Sequence, residues 1–227
     1  MKDSLSLVRL LQLSSPALPI GAYSYSQGLE FAVEAGTIHD AASAQRWIGD
    51  LMEHAIGPGE AAVLWRCQRA IAVGDSAAFV AWNAWFRASR ETAELRAETE
   101  QTGAALVRLL KELDLLDAST LAAAAASAPV TLPAAFALAA HGSGVEAQST
   151  LTGYVWSWLE NQVLAAMKSM ALGQVGGQRM LQALGVRIPA VVAAAMAIDD
   201  ADVASAAPGL ALASARHETQ YSRLFRS

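Results

Sequence analysis

Cysteine is all but missing from the 227 residues: Cys67 stands alone, which excludes an internal disulfide and fits a reducing compartment. A lone cysteine in a helical pattern reads as a small buried hydrophobe. Charge is sparse as well, 16% of residues with a net of −5, and no basic run is present. That excludes the concentrated basic face needed to hold nucleic-acid phosphates. Period-two alternation is absent, so nothing reads as a strand. Long apolar runs are missing too. The longest uncharged stretch, Leu121 to Ala140, is mostly alanine and is broken by Pro129 and Pro133, a poor membrane span. Leu5 to Leu13 is interrupted by Ser6, Arg9 and Gln12 and has no basic start or small-residue cleavage site, unlike a secretory leader. A cytoplasmic protein with no membrane partner is the expectation.

Catalytic signatures are equally scarce. Neither G-x-S-x-G nor the phosphate-cradling G-x-x-x-x-G-K-[ST] occurs. His39, His54, His141 and His217 are scattered and pair with no cysteine at zinc spacing, although His217 and Glu218 could share a metal at an interface. The glycine-rich run Leu172 to Gln178 lacks the strand that precedes a dinucleotide loop. One cluster does invite chemistry: Asp199, Asp200 and Asp202 form D-D-x-D, which in a helical enzyme could hold Mg²⁺. With no second ligand cluster, a solvated acidic turn explains it better. No enzyme, cofactor or dedicated metal site is expected.

What is present is helix. The apolar fraction is 54% and mean hydropathy +0.30, much of it alanine. Glycine and proline punctuate at helix-like intervals. Asp3 or Ser4 can cap a first helix with Leu7, Val8 and Leu11, ending before Pro16. A second is expected from about Tyr23 to Ala35. A third, capped by Asp40 and carrying Trp47, Leu51 and His54, should close at Gly57-Pro58-Gly59; a fourth should run from Glu60 to Val73. Asp75 then caps a helix with Phe79, Trp82, Trp85 and Phe86 on one face. Arg90 to Glu100, alternating acid and base, reads as a solvated face. Pro133 should open a helix ending at Gly142. Glu146 or Gln148 should begin the longest helix, with Val155, Leu159, Val163, Ala166 and Met170 on one stripe and Ser157, Asn161 and Lys168 opposite. Further helices run to Leu184 and after Pro189, and a tail begins near Pro208. The expectation is an all-α, single-domain helical bundle of about ten helices over residues 1–227, with a docking tail at 208–227.

The chain is organised around Leu10 to Glu30, where Pro16, Pro19, Gly21, Tyr23 and Tyr25 make a rigid connector. Its S-P-A-L-P-I-G-A-Y-S-Y-S-Q-G-L-E, Ser15 to Glu30, resembles the N-terminal signature of the UreF family of urease accessory proteins. R-E-T-A-E-L-R-A-E-T-E-Q-T-G at Arg90 to Gly103, L-G-Q-V-G-G-Q at Leu172 to Gln178 and H-E-T-Q-Y-S-R-L-F-R-S at His217 to Ser227 agree with it in the same order. Two positions depart: Ala171 where proline commonly precedes L-G-Q, and Ala215 where methionine often stands.

The resemblance implies a cytoplasmic, usually dimeric scaffold. It would bind the UreD/UreH accessory protein and the GTPase UreG and support GTP-dependent nickel insertion into apo-urease. A GTPase activator that inserts an arginine into UreG is the alternative within the family, and a Mg²⁺ enzyme using the aspartates is the alternative outside it. Candidate partner contacts are Tyr23, Tyr25, Lys168, His217, Glu218, Tyr221, Arg223, Leu224, Phe225 and Arg226. The tail is expected to leave the bundle as a helix with Tyr221, Leu224 and Phe225 on one face and to be dispensable for folding. Sparse charge also predicts self-association through apolar surface.

Overall fold

With alanine and leucine filling the spans between glycine and proline, the backbone satisfies itself in helices from end to end. The computed structural model describes residues 2–227; Met1 and the side chains of Lys2 and Asp3, including the expected Asp3 cap, lie outside the described residues. The helices are α1 (Lys2–Leu13), α2 (Leu29–Glu34), α3 (Ala41–Leu51), α4 (Ala62–Ala72), α5 (Ser76–Ala88), α6 (Ala93–Glu112), α7 (Ala118–Ala126), α8 (Leu132–Ser143), α9 (Ala147–Ser169), α10 (Gln174–Gly185), α11 (Ile188–Ala197) and α12 (Pro208–His217). Short 3₁₀ turns occur at Ala22–Ser24 and Asp200–Asp202, and no strand forms among the described residues. The all-α bundle is as expected.

Several caps are those the sequence advertises. Asp40 accepts from Ser43 N at 2.7 Å, Asp75 from Ala78 N at 2.9 Å, and Glu146 from Ser149 N at 2.6 Å, each satisfying a helix-start donor. Ser4 sits inside α1 rather than before it. Another expectation fails: Gly57-Pro58-Gly59 does not end a helix. The ten-residue segment Met52–Ala61 is π-helical and joins α3 to α4 in one rod. The wider π turn absorbs the missing proline donor, and glycine is required at 57, where a Cβ would lie 2.8 Å from Val191 Cγ1 of α11.

α8 is the central strut. Pro133 to Ala140 are all buried, and the small side chains let α4 and α6 approach closely. Gly103 of α6 faces the α8 entry, where a Cβ would collide with Val130 O. α9, the longest helix, packs on α2, α10, α11 and the π segment. Its stripe of Val155, Leu159, Val163 and Ala166 is buried as predicted, but Asn161, placed opposite, is buried too. The aromatic face of α5 is half right: Phe79 and Phe86 are sealed in the core, while Trp85 is exposed. α1 forms with its Leu7, Val8 and Leu11 facing outward. Ala171 costs no bend: Met170 turns extended, Leu172 N donates back to Met170 O at 2.7 Å, and α10 starts anew. No single helix among the described residues is long and apolar enough to cross a membrane; α10 and α11 reach that length only as a pair bent by 40°.

Candidate partner-docking site

The connector is built by its unusual residues. α1 stops at Leu13, Gly21 takes φ +78°, and Ala22–Ser24 make one 3₁₀ turn before Tyr25 extends. The helix expected from Tyr23 therefore starts only at Leu29, because Gln27 (φ 53°) and Gly28 (φ 74°) are both left-handed. Glycine at 28 also admits α12: a Cβ there would lie 2.9 Å from Ser214 N and 3.0 Å from Ala213 Cβ. The turn thus presents Glu30 to the end of α12 and to the segment that follows.

That segment does not leave the bundle, which corrects the expectation of a free amphipathic tail. α12 ends at His217, and residues 218–227 run irregularly back over α2 and α6. Polar groups hold them there. Glu30 accepts from Leu224 N (2.7 Å) and Phe225 N (3.0 Å). His217 is wholly buried, Nδ1 2.7 Å from Glu94 Oε2 and Nε2 3.3 Å from Glu30 Oε2, so it is not offered to a shared metal. Arg223 donates to Glu94 Oε1 at 2.8 Å, and Ser227 Oγ donates to Glu98 Oε2 at 3.2 Å. Arg226 N donates to Ser24 O and Ser26 N to Ser227 O, each at 2.7 Å. Glu218 accepts from Ala93 N (3.0 Å) and so caps α6. Tyr221, Leu224 and Phe225 consequently do not share a face: the first two are exposed and Phe225 is buried.

Beneath this clasp lies a polar core. Glu60, from the π segment, accepts from Arg90 Nη1 (3.2 Å) and from the Tyr154 hydroxyl (2.7 Å). Gln27 donates to Glu98 Oε1 (3.0 Å) and accepts from Trp158 Nε1 (2.8 Å). Glu60 and Glu98 line a cavity of about 70 Å³ with Gln27, Tyr154 and Trp158. Burial, reinforced by the Glu60 charge, pushes the Glu98 carboxyl up to about 8, against the pull of its hydrogen bonds to Gln27 and Ser227 and of Arg90. Glu98 is therefore largely protonated near neutral pH. Burial also raises Tyr25, whose hydroxyl donates to Gln101 at 2.8 Å, and takes Tyr23 to about 12 with help from Glu160.

Arg90 to Glu100 is thus only in part the solvated face expected: Glu91 and Arg96 are exposed, but Arg90, Glu98 and Thr99 are buried. Glu30, Glu60, Glu94 and Glu98 were missed as site residues. A signal existed, since Glu94 and Glu98 are like charges at i,i+4, a repulsive spacing unless each meets a partner. The Asp199–Asp202 turn fares differently. Asp200 accepts from Arg66 Nε at 2.7 Å, and no group of three or more metal-capable side chains gathers among the described residues.

On the outside, the clasp brings together residues far apart in sequence. Tyr23, Ser24, Lys168, Leu224, Phe225 and Arg226 line one open groove of about 470 Å³. Lys168 is exposed, as expected, with Nζ 5.6 Å from the centre of the Phe225 ring. Asn161 Nδ2 donates to Tyr25 O at 3.1 Å, tying the connector next to the groove to α9. Of the ten candidate contacts, Tyr23, Lys168, Leu224, Phe225 and Arg226 converge here, whereas Tyr25 is buried, His217, Glu218 and Arg223 hold the clasp, and Tyr221 projects into solvent.

Comparison with known proteins agrees over the whole length. The UreF family model matches residues 38–185. The urease accessory protein UreF of Dechloromonas aromatica is 52% identical over 231 residues, covering 100% of both chains. That of Azoarcus sp. (strain BH72) is 51% identical over 226 residues, 98% of this chain and 96% of the relative. A bifunctional urease accessory protein UreEF of Bordetella bronchiseptica is 51% identical over 228 residues, 99% of this chain and 53% of that one. Four motifs, an all-helical bundle and matches of this extent lead to one assignment: the chain belongs to the UreF family of urease accessory proteins.

Proposed function

We propose that this chain is a non-catalytic scaffold of urease maturation. It docks a UreD/UreH-type accessory protein through the face of Tyr23, Lys168, Leu224 and Arg226, engages UreG, modulates its GTPase turnover and so supports nickel insertion into apo-urease. It works in the cytoplasm as a homodimer, with nickel as cargo rather than resident cofactor. The observation that carries the docking assignment is the convergence of connector, α9 and tail residues on one open groove. The clasp beneath orders the tail in advance, so docking loses little conformational entropy there.

The test is co-purification with a co-expressed UreD/UreH-type protein. Tyr23→Ala combined with Leu224→Ala is expected to abolish capture and urease activation while leaving far-UV circular dichroism unchanged, because Leu224 is exposed and Tyr23 only half-buried. Capture equal to that of the unaltered chain moves the docking face elsewhere. An arginine scan read out as UreG turnover separates activation from restraint.

A further inference from the structure

Around the groove, acid and base are sorted by depth. Glu30, Glu94 and Glu98 point inward, where tail amides, His217, Arg223, Ser227 and Gln27 occupy them. Lys168 and Arg226 stay outside, and neither forms an ion pair among the described residues. Arg226 reaches the neutral Tyr25 hydroxyl, and the buried Glu98 beyond it keeps its proton near neutral pH, giving little counter-charge. Lys168 is held over the Phe225 ring, a contact that orients the ammonium without neutralising it. Glu160 lies close enough to Tyr23 to raise its hydroxyl, and burial disfavours the Glu160 charge. A chain with a net charge of −5 thus presents a basic groove.

Resting on the docking reading above, we infer that the groove receives an acidic segment of the partner protein. An Asp or Glu side chain meets Lys168 and Arg226, and an adjacent apolar side chain covers Leu224 and Phe225. Charge complementarity selects this occupant: the exposed donors are cationic, and the apolar floor lies beside them rather than elsewhere. The clasp makes the sorting possible, since carboxylates facing outward would cancel the two cations.

Association of the full-length chain with a UreD/UreH-type accessory protein is measured by biolayer interferometry at several salt concentrations. Lys168→Glu combined with Arg226→Glu is expected to slow association by about tenfold or more at low salt, with little change in dissociation. The unaltered complex should weaken as the screening length falls from about 30 Å at 0.01 M to about 3 Å at 1 M salt. Lys168→Gln combined with Arg226→Gln should give an intermediate rate, and Arg46→Glu, on the exposed side of α3, should leave the rate near that of the unaltered chain. Association that ignores both salt and charge reversal, yet is abolished by Tyr23→Ala with Leu224→Ala, overturns the acidic occupant and keeps the docking face. Association that ignores all of these variants overturns both.

Discussion

Replacing Glu98 by glutamine should change how stability depends on pH more than it changes the fold. In the native state the carboxyl titrates at about 8, against 4.5 without the protein around it. Between those values the native chain keeps a proton that the unfolded chain has released. Stability therefore falls as pH rises from about 4.5 and levels off above about 8. At roughly 1.4 kcal/mol per pH unit, that difference is worth up to about 5 kcal/mol, a large part of the 5–15 kcal/mol typical of a domain.

Glutamine at 98 cannot lose the proton and keeps the local geometry. Its Oε1 can accept from Gln27, and its amide can donate to Ser227 Oγ. Urea unfolding followed by far-UV circular dichroism at pH 5.5, 7.0 and 8.5 reads the effect. The variant's stability relative to the parent should rise steadily from pH 5.5 to pH 8.5, and subtracting one curve from the other removes titrations common to both. Hydrogen exchange at Ser26 and Arg226, whose amides tie the connector to the tail, should lose protection in the parent as pH rises, beyond the intrinsic rate. Parallel curves for parent and variant would refute a buried, protonated Glu98.

The clasp predicts two further outcomes. Glu30→Ala orphans the amides of Leu224 and Phe225 and one His217 contact, so the tail should lose exchange protection and thermal unfolding should register a loss of about 2–4 kcal/mol. Gly28→Ala combines a left-handed φ of 74° with a Cβ 2.9 Å from Ser214 N; it should push α12 off α2, cost about 1–3 kcal/mol in urea unfolding and weaken partner capture.

Local signals in the sequence were dependable where local physics decides. Asp40 and Asp75 are legible as caps because a side-chain acceptor before an apolar period serves only nearby donors, whereas Glu146 reads only as one possible start of its helix. Gly57-Pro58-Gly59 misled for the opposite reason: tertiary packing of α11 against the π segment overrides the breakers. The candidate site was legible as a set of residue types and motifs, but not as a surface. Nothing in the tail's composition says that Glu30, nearly two hundred residues earlier, will accept its amides, and a charge run such as Arg90 to Glu100 looks solvated until the tail covers it.

The distance along the chain between the two halves of the clasp has a consequence for biosynthesis. Ser26 and Ser227 are 201 residues apart, and Glu30 and Leu224 are 194 apart. At about 5–20 residues per second, Glu30 emerges from the ribosome roughly 10–40 s before the amides that complete it. During that interval Glu30 and Glu94 lack the partners that His217, Arg223 and the tail backbone supply. Closure of the last ten residues supplies those partners and places Arg226 beside Lys168. Under the acidic-occupant inference, a chain still in synthesis offers only half of the groove, because Leu224, Phe225 and Arg226 are the last of its lining residues to be made.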